Sequence, residues 1–222
     1  MRSVNILEVK DLSVSVDGKT ILSDVTFNVT QNQTVVIIGV NGSGKTLLLK
    51  TLMGFSEPLA GMFKWKEGIK IGYVPQKLTI EKKLPLTVND FVKLKIKNIS
   101  LQKIVRALED VGLKREIGEK SLGNLSGGQF QRALIAWAIV DNPDVLIFDE
   151  PTESIDPIGQ ASLYELIDNL KKKKGIGVFI VSHDLDILEN YADKVLCLAK
   201  GKLICYASPG EVKDKIPKVY HH

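Results

Sequence analysis

The eight residues Gly39-Val40-Asn41-Gly42-Ser43-Gly44-Lys45-Thr46 constrain the fold more than any other part of the chain. They follow a continuous β-branched run, Val35-Val36-Ile37-Ile38, as expected of a strand buried on both faces. They lead into a helical pattern from Lys45 that glycine ends at Gly54. A glycine-rich turn between a buried strand and a helix, closed by Lys-Thr, has the pattern of a phosphate loop. Its glycines let successive N–H groups point at phosphate oxygens, and the helix start adds partial positive charge. Lys45 then meets the β- and γ-phosphates, and the Thr46 hydroxyl is a ligand for Mg2+. A purely structural turn is the alternative, and the flanks, the spacing and the Lys-Thr pair argue against it.

With 222 residues, 44% of them hydrophobic and 25% charged, the chain has the material for one folded domain. Ile6 to Val9, Lys19 to Ile21 and Val25 to Val29 alternate like short strands, and Asp17-Gly18 marks a hairpin turn, so an antiparallel edge sheet is expected first. Residues 77–124 read as an inserted helical subdomain. Thr87 to Asp90 has capping-box spacing, and Leu101, Ile104, Val105, Leu108 and Val111 fall at helical spacing before Gly112. Beyond it come a helix near Gln129 to Val140, a strand at Val145 to Phe148, a helix at Gly159 to Lys171 and a strand at Gly177 to Ser182. The end reads as a hairpin, Lys194 to Ala199 with Lys202 to Ala207, and a short helix from Pro209. Strands alternating with helices imply an α/β fold with a mixed, mainly parallel sheet.

Composition excludes several classes. The longest apolar stretches, such as Ala133 to Val140, fall well short of the ~18 residues of a membrane span. The start lacks the apolar core of a secretory signal, so a cytoplasmic location is expected. A net charge of +4 gives no case for nucleic acid, and the run Lys171 to Lys174 reads as a solvated helix end. Cys197 and Cys205 read as buried free thiols in preference to a disulfide or a ligand pair.

Two further constellations carry chemistry. Val145-Leu146-Ile147-Phe148-Asp149-Glu150 is an apolar strand delivering two carboxylates at its C-terminal end, where ligands gather in open parallel sheets. Asp149 is placed to hold the Mg2+ shell and Glu150 to orient or deprotonate the water attacking the γ-phosphate. Leu125-Ser126-Gly127-Gly128-Gln129 sets a serine and two glycines at a helix start, which makes a second anion site. Two such sites in one chain are economically explained by a head-to-tail dimer in which one copy's phosphate loop and the other's second site close over the same nucleotide.

The ordered set resembles the ATP-binding cassette ATPases: the phosphate loop, Gln76 in Tyr73-Val74-Pro75-Gln76, Leu125 to Gln129, Asp149-Glu150, Glu153-Ser154-Ile155-Asp156, and His183 in Val181-Ser182-His183-Asp184. The resemblance covers nearly the whole chain. It implies a single cassette, with residues 1–76 and 125–222 forming a RecA-like phosphate-loop NTPase core, ATP and Mg2+ as ligands, and ATP hydrolysis as the activity. It also implies that Gln76 senses the metal and the water, that Asp156 lies at the dimer seam and that His183 contacts the γ-phosphate. For a lone cassette the resemblance further implies multi-span membrane permease subunits as partners, a peripheral place at the cytoplasmic face of the membrane, and indirectly a metal-binding substrate-binding protein.

Gly72 to Leu78, Leu84-Pro85-Leu86-Thr87-Val88-Asn89, Leu163 to Asp168 and Val195 to Leu198 look like the ATPase subunit of high-affinity zinc importers and their manganese or iron relatives. A soluble cassette ATPase of iron–sulfur assembly is the rival of similar size. His221 and His222 echo a histidine-rich tail but are too few for a zinc site. Leu84, Leu86, Val88, Phe91 and Val92 form either a surface for a partner helix or the insert's own core. Two positions depart from the family: Val16, where an aromatic ring usually stacks on adenine, and Trp137, where arginine is usual.

Overall fold

The computed structural model describes residues 4–76, 78, 85–152, 155–184 and 186–212. Leu84, Glu153, Ser154, His221 and His222, singled out above, lie outside these residues.

Strands β1 (Asn5–Val16) and β2 (Lys19–Thr30) form one long hairpin closed at Asp17-Gly18, where both residues have positive φ. The three short strands expected from alternation are parts of this pair. Asp11 and Asp24 adopt left-handed backbone (φ 49 and 53), their N–H groups donate to Thr26 Oγ1 and Ser13 Oγ, and the register shifts around them. Each shift moves the alternation to the other face, which hides the continuity of the strand.

The order then runs β3 (Thr34–Ile38), α1 (Lys45–Leu52), β4 (Ala60–Trp65), β5 (Ile71–Val74), α2 (Val88–Lys93) and α3 (Leu101–Asp110). After short 3-10 turns come α4 (Gly127–Ile139), β6 (Val145–Asp149), α5 (Pro157–Lys174), β7 (Gly177–Val181), α6 (Asp186–Tyr191), β8 (Lys194–Ala199), β9 (Lys202–Ala207) and α7 (Pro209–Val212). Sheet order is β2-β1-β4 in an antiparallel sheet and β5-β6-β7-β3-β8-β9 in a second sheet, parallel throughout except for β9.

The central strands β3, β6 and β7 of the second sheet are buried on both faces, and the two faces have different partners. Val36, Ile38, Leu146, Phe148, Val178 and Ile180 pack among the helices from α2 to α6. Their neighbours Val35, Ile37, Val145, Ile147, Phe179 and Val181 pack with α1 and the antiparallel sheet. A strand whose odd and even side chains are both covered needs no polar residue, hence the continuous apolar runs.

Val88, Phe91 and Val92 of α2 are buried against Ile104, Ala107 and Leu108 of α3 and against α4, with Leu86 half-buried beside them. Of the two readings of these residues, core packing is the one observed. The Thr87 side chain caps α2, accepting from the Asp90 N–H and donating to its carboxylate. The run Lys171 to Lys174 is not simply solvated: Lys171 pairs with Asp193, Lys172 with Asp168, and Lys173 and Lys174 both with Asp110 at the end of α3.

The expectation of free thiols is corrected. The β8–β9 hairpin registers Cys197 opposite Cys205, and the two are joined in a disulfide. The eight-residue separation around the Lys200-Gly201 turn makes them cross-strand partners, a consequence of hairpin register that composition does not carry. No helix among the described residues is long and apolar enough to cross a membrane.

Adjacent strands β5, β6, β7 and β3 all point their C-terminal ends the same way, so the residues that follow them, Gln76, Glu150, His183 and Gly39, emerge along one edge.

Candidate nucleotide-binding site

At the end of β3 the chain turns through Gly39 to Gly44 and enters α1 at Lys45. Gly39 has no room for a side chain, since a Cβ there would run into the Leu198 carbonyl of β8 and the Ser43 hydroxyl. Gly44 is the N-cap of α1 in left-handed backbone (φ 101) and offers no side chain to its first N–H groups. A helix start with uncapped donors is an anion site. Ser43 Oγ is buried with no hydrogen-bond partner, an orphan of the type a phosphate oxygen satisfies. The Lys45 ammonium donates to the carbonyls of Gly39 (2.8 Å) and Val40 (3.1 Å). Burial pulls its pKa below the usual lysine value, against the opposing pull of Glu150 and Asp149.

Across from the loop, Thr46 Oγ1 donates to Asp149 Oδ1 at 3.1 Å. Burial raises the Asp149 pKa despite that hydrogen bond, with the Glu150 charge adding to the rise. Glu150 follows in left-handed backbone (φ 48), its N–H donating to the Val181 carbonyl of β7 at 3.0 Å. Its Oε2 accepts from Gln76 Nε2 at 3.0 Å and lies 3.9 Å from Nδ1 of His183, whose side chain is 63% exposed. Val16, Ile21, Asn41, Gly42, Gly44, Lys45, Thr46, Leu47, Gln76 and Glu150 line a single open cleft of about 590 Å³.

Leu125 to Gln129 lie elsewhere. Ser126 caps α4 by accepting from the Gln129 N–H, and the Gln129 side chain returns the bond to the Ser126 N–H. Gly127 and Gly128 are exposed, and Gly128 faces open space. Asp156 caps α5, its carboxylate accepting from the Gly159 N–H at 2.9 Å. None of these residues lines the cleft. The structure therefore brings together the phosphate loop, Gln76, Asp149, Glu150 and His183, and leaves the second helix start and Asp156 outward-facing.

Residues 22–153 match the family model described as ABC transporter. The chain belongs to that family. It is 39% identical over 212 residues to the zinc import ATP-binding protein ZnuC of Haemophilus influenzae, covering 96% of this chain and 78% of that one. It is 40% identical over 194 residues to the ZnuC of Cereibacter sphaeroides, covering 87% and 79%. Among solved structures, cbiO1 from Clostridium perfringens, part of the ABC transporter complex cbiONQ, superposes with a TM-score of 0.84 at 29% identity, covering 98% and 95% of the two chains. The ADP conformation of MJ1267, an ATP-binding cassette of an ABC transporter, gives 0.85 at 26%, covering 99% and 98%.

As an ABC transporter ATPase the chain binds ATP, and its two departures acquire a physical setting. Val16 is half-exposed at the cleft, and Ile21, which sequence reasoning missed, stands with it. The signal for Ile21 was the Asp17-Gly18 turn, which folds β2 back beside the end of β1. Trp137 stacks on Phe91 with ring centroids 5.9 Å apart, and the Lys95 ammonium lies 4.3 Å from its ring. A cation is thus supplied from α2's side, over the ring rather than from position 137 itself.

Proposed function

We propose that this chain is the ATP-hydrolysing subunit of a metal-ion importer whose cargo is zinc. The observation that carries the reading is the 39% identity, over 96% of the chain, to a zinc import ATP-binding protein. The cargo is substrate of the whole transporter and touches no residue described above.

In this reading Lys45 leaves the Gly39 and Val40 carbonyls for the β- and γ-phosphates, while the loop's N–H groups and Ser43 receive phosphate oxygens. Thr46 and Asp149, already hydrogen-bonded, form the hard-oxygen donor set that Mg2+ prefers, with Gln76 beside them. Mg2+, when bound there, neutralises phosphate charge. Glu150 orients the attacking water and accepts its proton, Gln76 holds the Glu150 carboxylate, and His183 donates to the γ-phosphate.

The outward-facing start of α4 serves a second copy. Leu125 to Gln129 of one protomer close over the nucleotide in the other, with Asp156 at the seam. Closure does work on multi-span permease subunits because ATP binds the closed pair better than the open one. The chain then sits peripherally at the cytoplasmic face of the membrane, served indirectly by a zinc-binding protein. Residues 77–124 act as the helical subdomain between the two halves of the core.

The test is radioactive zinc uptake in cells lacking the chain. High-affinity uptake should be lost, restored by the parental protein and not by Glu150→Gln. Normal zinc uptake with lost manganese or iron uptake would reassign the cargo, and co-purification with a soluble assembly complex would remove the transport role.

A further inference from the structure

One buried hydroxyl joins the two loops that carry Glu150 and His183. After β6 the chain runs Glu150-Pro151-Thr152, and after β7 it runs Ser182-His183. Tyr164, eighth residue of α5, lies beneath both. Its hydroxyl is 3.1 Å from Thr152 Oγ1 and 3.3 Å from Ser182 Oγ. Tyr164, Thr152 and Ser182 are 4%, 6% and 2% exposed, so water does not substitute for these bonds. Ser182 Oγ accepts the Asp184 N–H as well, at 3.0 Å, which fixes the far side of His183.

The remaining buried residues of α5 are Leu163, Ile167 and Leu170. At position 164 an apolar side chain would pack without the cost of burying a hydroxyl, and that cost is offset here only by the two bonds. Burial holds the phenol neutral by pushing its pKa up, so its proton stays in place to be donated. It can donate to one neighbour and accept from the other, which suits a bridge between two hydroxyls.

We infer that Tyr164 is a positioning residue for hydrolysis, bridging Thr152 and Ser182 so that Glu150 and His183 keep their relative placement. The inference rests on the roles proposed above for those two residues. The backbone bond from Glu150 to Val181 ties the loops once, near the sheet. The Tyr164 bridge ties them a second time, from below, and so limits rotation about the first tie. Catalytic geometry is sensitive on the ångström scale, and a 1 Å misplacement can cost about 100-fold in rate.

The experiment is steady-state ATP hydrolysis by the full chain. Tyr164→Phe keeps the ring and removes the bridge: kcat should fall about tenfold with KM for ATP within about twofold, because the phosphate loop is untouched. Thr152→Val should behave alike, and Thr152→Ser, which keeps the hydroxyl, should recover most of the turnover. The double variant Tyr164→Phe/Thr152→Val should be no slower than either single one, since the bridge is lost only once. A parental kcat in Tyr164→Phe, losses that multiply in the double variant, or a KM rising in step with the fall in kcat would each overturn the bridge. Should Tyr164→Phe fail to fold, Thr152→Val and Thr152→Ser carry the same comparison. Glu150→Gln in the same series separates the layers. If it hydrolyses ATP at the parental rate, the assignment beneath the bridge is wrong. If it is inert while Tyr164→Phe is parental, only the bridge is discarded.

Discussion

Val16 and Ile21 make the wall of the cleft beside the turn of the antiparallel hairpin, and neither carries a ring. Two aliphatic side chains offer a nucleobase dispersion and little else, with no face to stack on and no group to read its edge. Replacing Val16 by tyrosine adds an aromatic face at a half-exposed position where there is room for it. Stacking of about 0.5–1.5 kcal/mol corresponds to a KM for ATP about two- to tenfold lower, with kcat unchanged, in a plain hydrolysis assay. An unchanged or raised KM would move the base away from this wall. Glu150 differs in kind. Its side chain is placed by a left-handed backbone that residues other than glycine adopt at a cost, and the bond to Val181 holds it there.

Among the elements, α5 shows most clearly what sequence disclosed and what it hid. The sequence placed it at Gly159 to Lys171, and the structure extends it to Pro157–Lys174, because Asp156 caps a start with proline at the first helical position and Gly175 ends it. The function of its lysines was not readable, because Asp110 lies 63 residues away from Lys173 on α3. Burial alone would raise the Asp110 pKa, yet the hydrogen bonds from Lys173 and Lys174 outweigh it and hold the carboxyl below the usual range. A carboxylate with a depressed folded pKa stabilises the fold above its unfolded value and loses that contribution as pH falls through the folded one. Asp110→Asn should therefore melt about 2–4 °C lower at neutral pH, and the gap should close in acid, as read by a thermal scan across pH.

The start of α4 makes a contrasting case. A Cβ at Gly128 meets nothing, and an acidic residue in a first helical turn is favourable to the helix. Gly128→Asp should keep its melting temperature and lose at least about tenfold in ATP turnover, because in the proposed dimer its carboxylate would face the partner's nucleotide. Equal turnover would mean that this helix start meets no phosphate. Other features stayed hidden for physical reasons. The bulges at Asp11 and Asp24 broke the alternation of β1 and β2, and the edge strand β4 turns only Phe63 and Trp65 toward the core, too few residues to show a period. The Cys197–Cys205 bond follows from hairpin register alone.

At the scale of the whole molecule, the cleft is assembled by topology. Strands distant in sequence end side by side, so the phosphate loop, Gln76, the carboxylates and His183 meet without any of them being adjacent in the chain. The order of motifs in the sequence disclosed this much. The outward orientation of Leu125 to Gln129 became visible only with the fold. Glu150→Gln should be monomeric without nucleotide and shift to twice the mass with ATP and Mg2+, measured by light scattering. A variant that stays monomeric at saturating ATP would leave the second helix start without an occupant.

The Lys45 ammonium donates to two backbone carbonyls of its own loop, those of Gly39 and Val40. On the role proposed for Lys45, nucleotide capture is an exchange of partners in which the loop surrenders an internal clasp as it gains an external one. Any replacement of this lysine then removes a clasp within the loop together with the proposed grip on the nucleotide. The melting behaviour of such a variant without ATP measures the first loss in isolation, and whatever weakening of binding exceeds it belongs to the second.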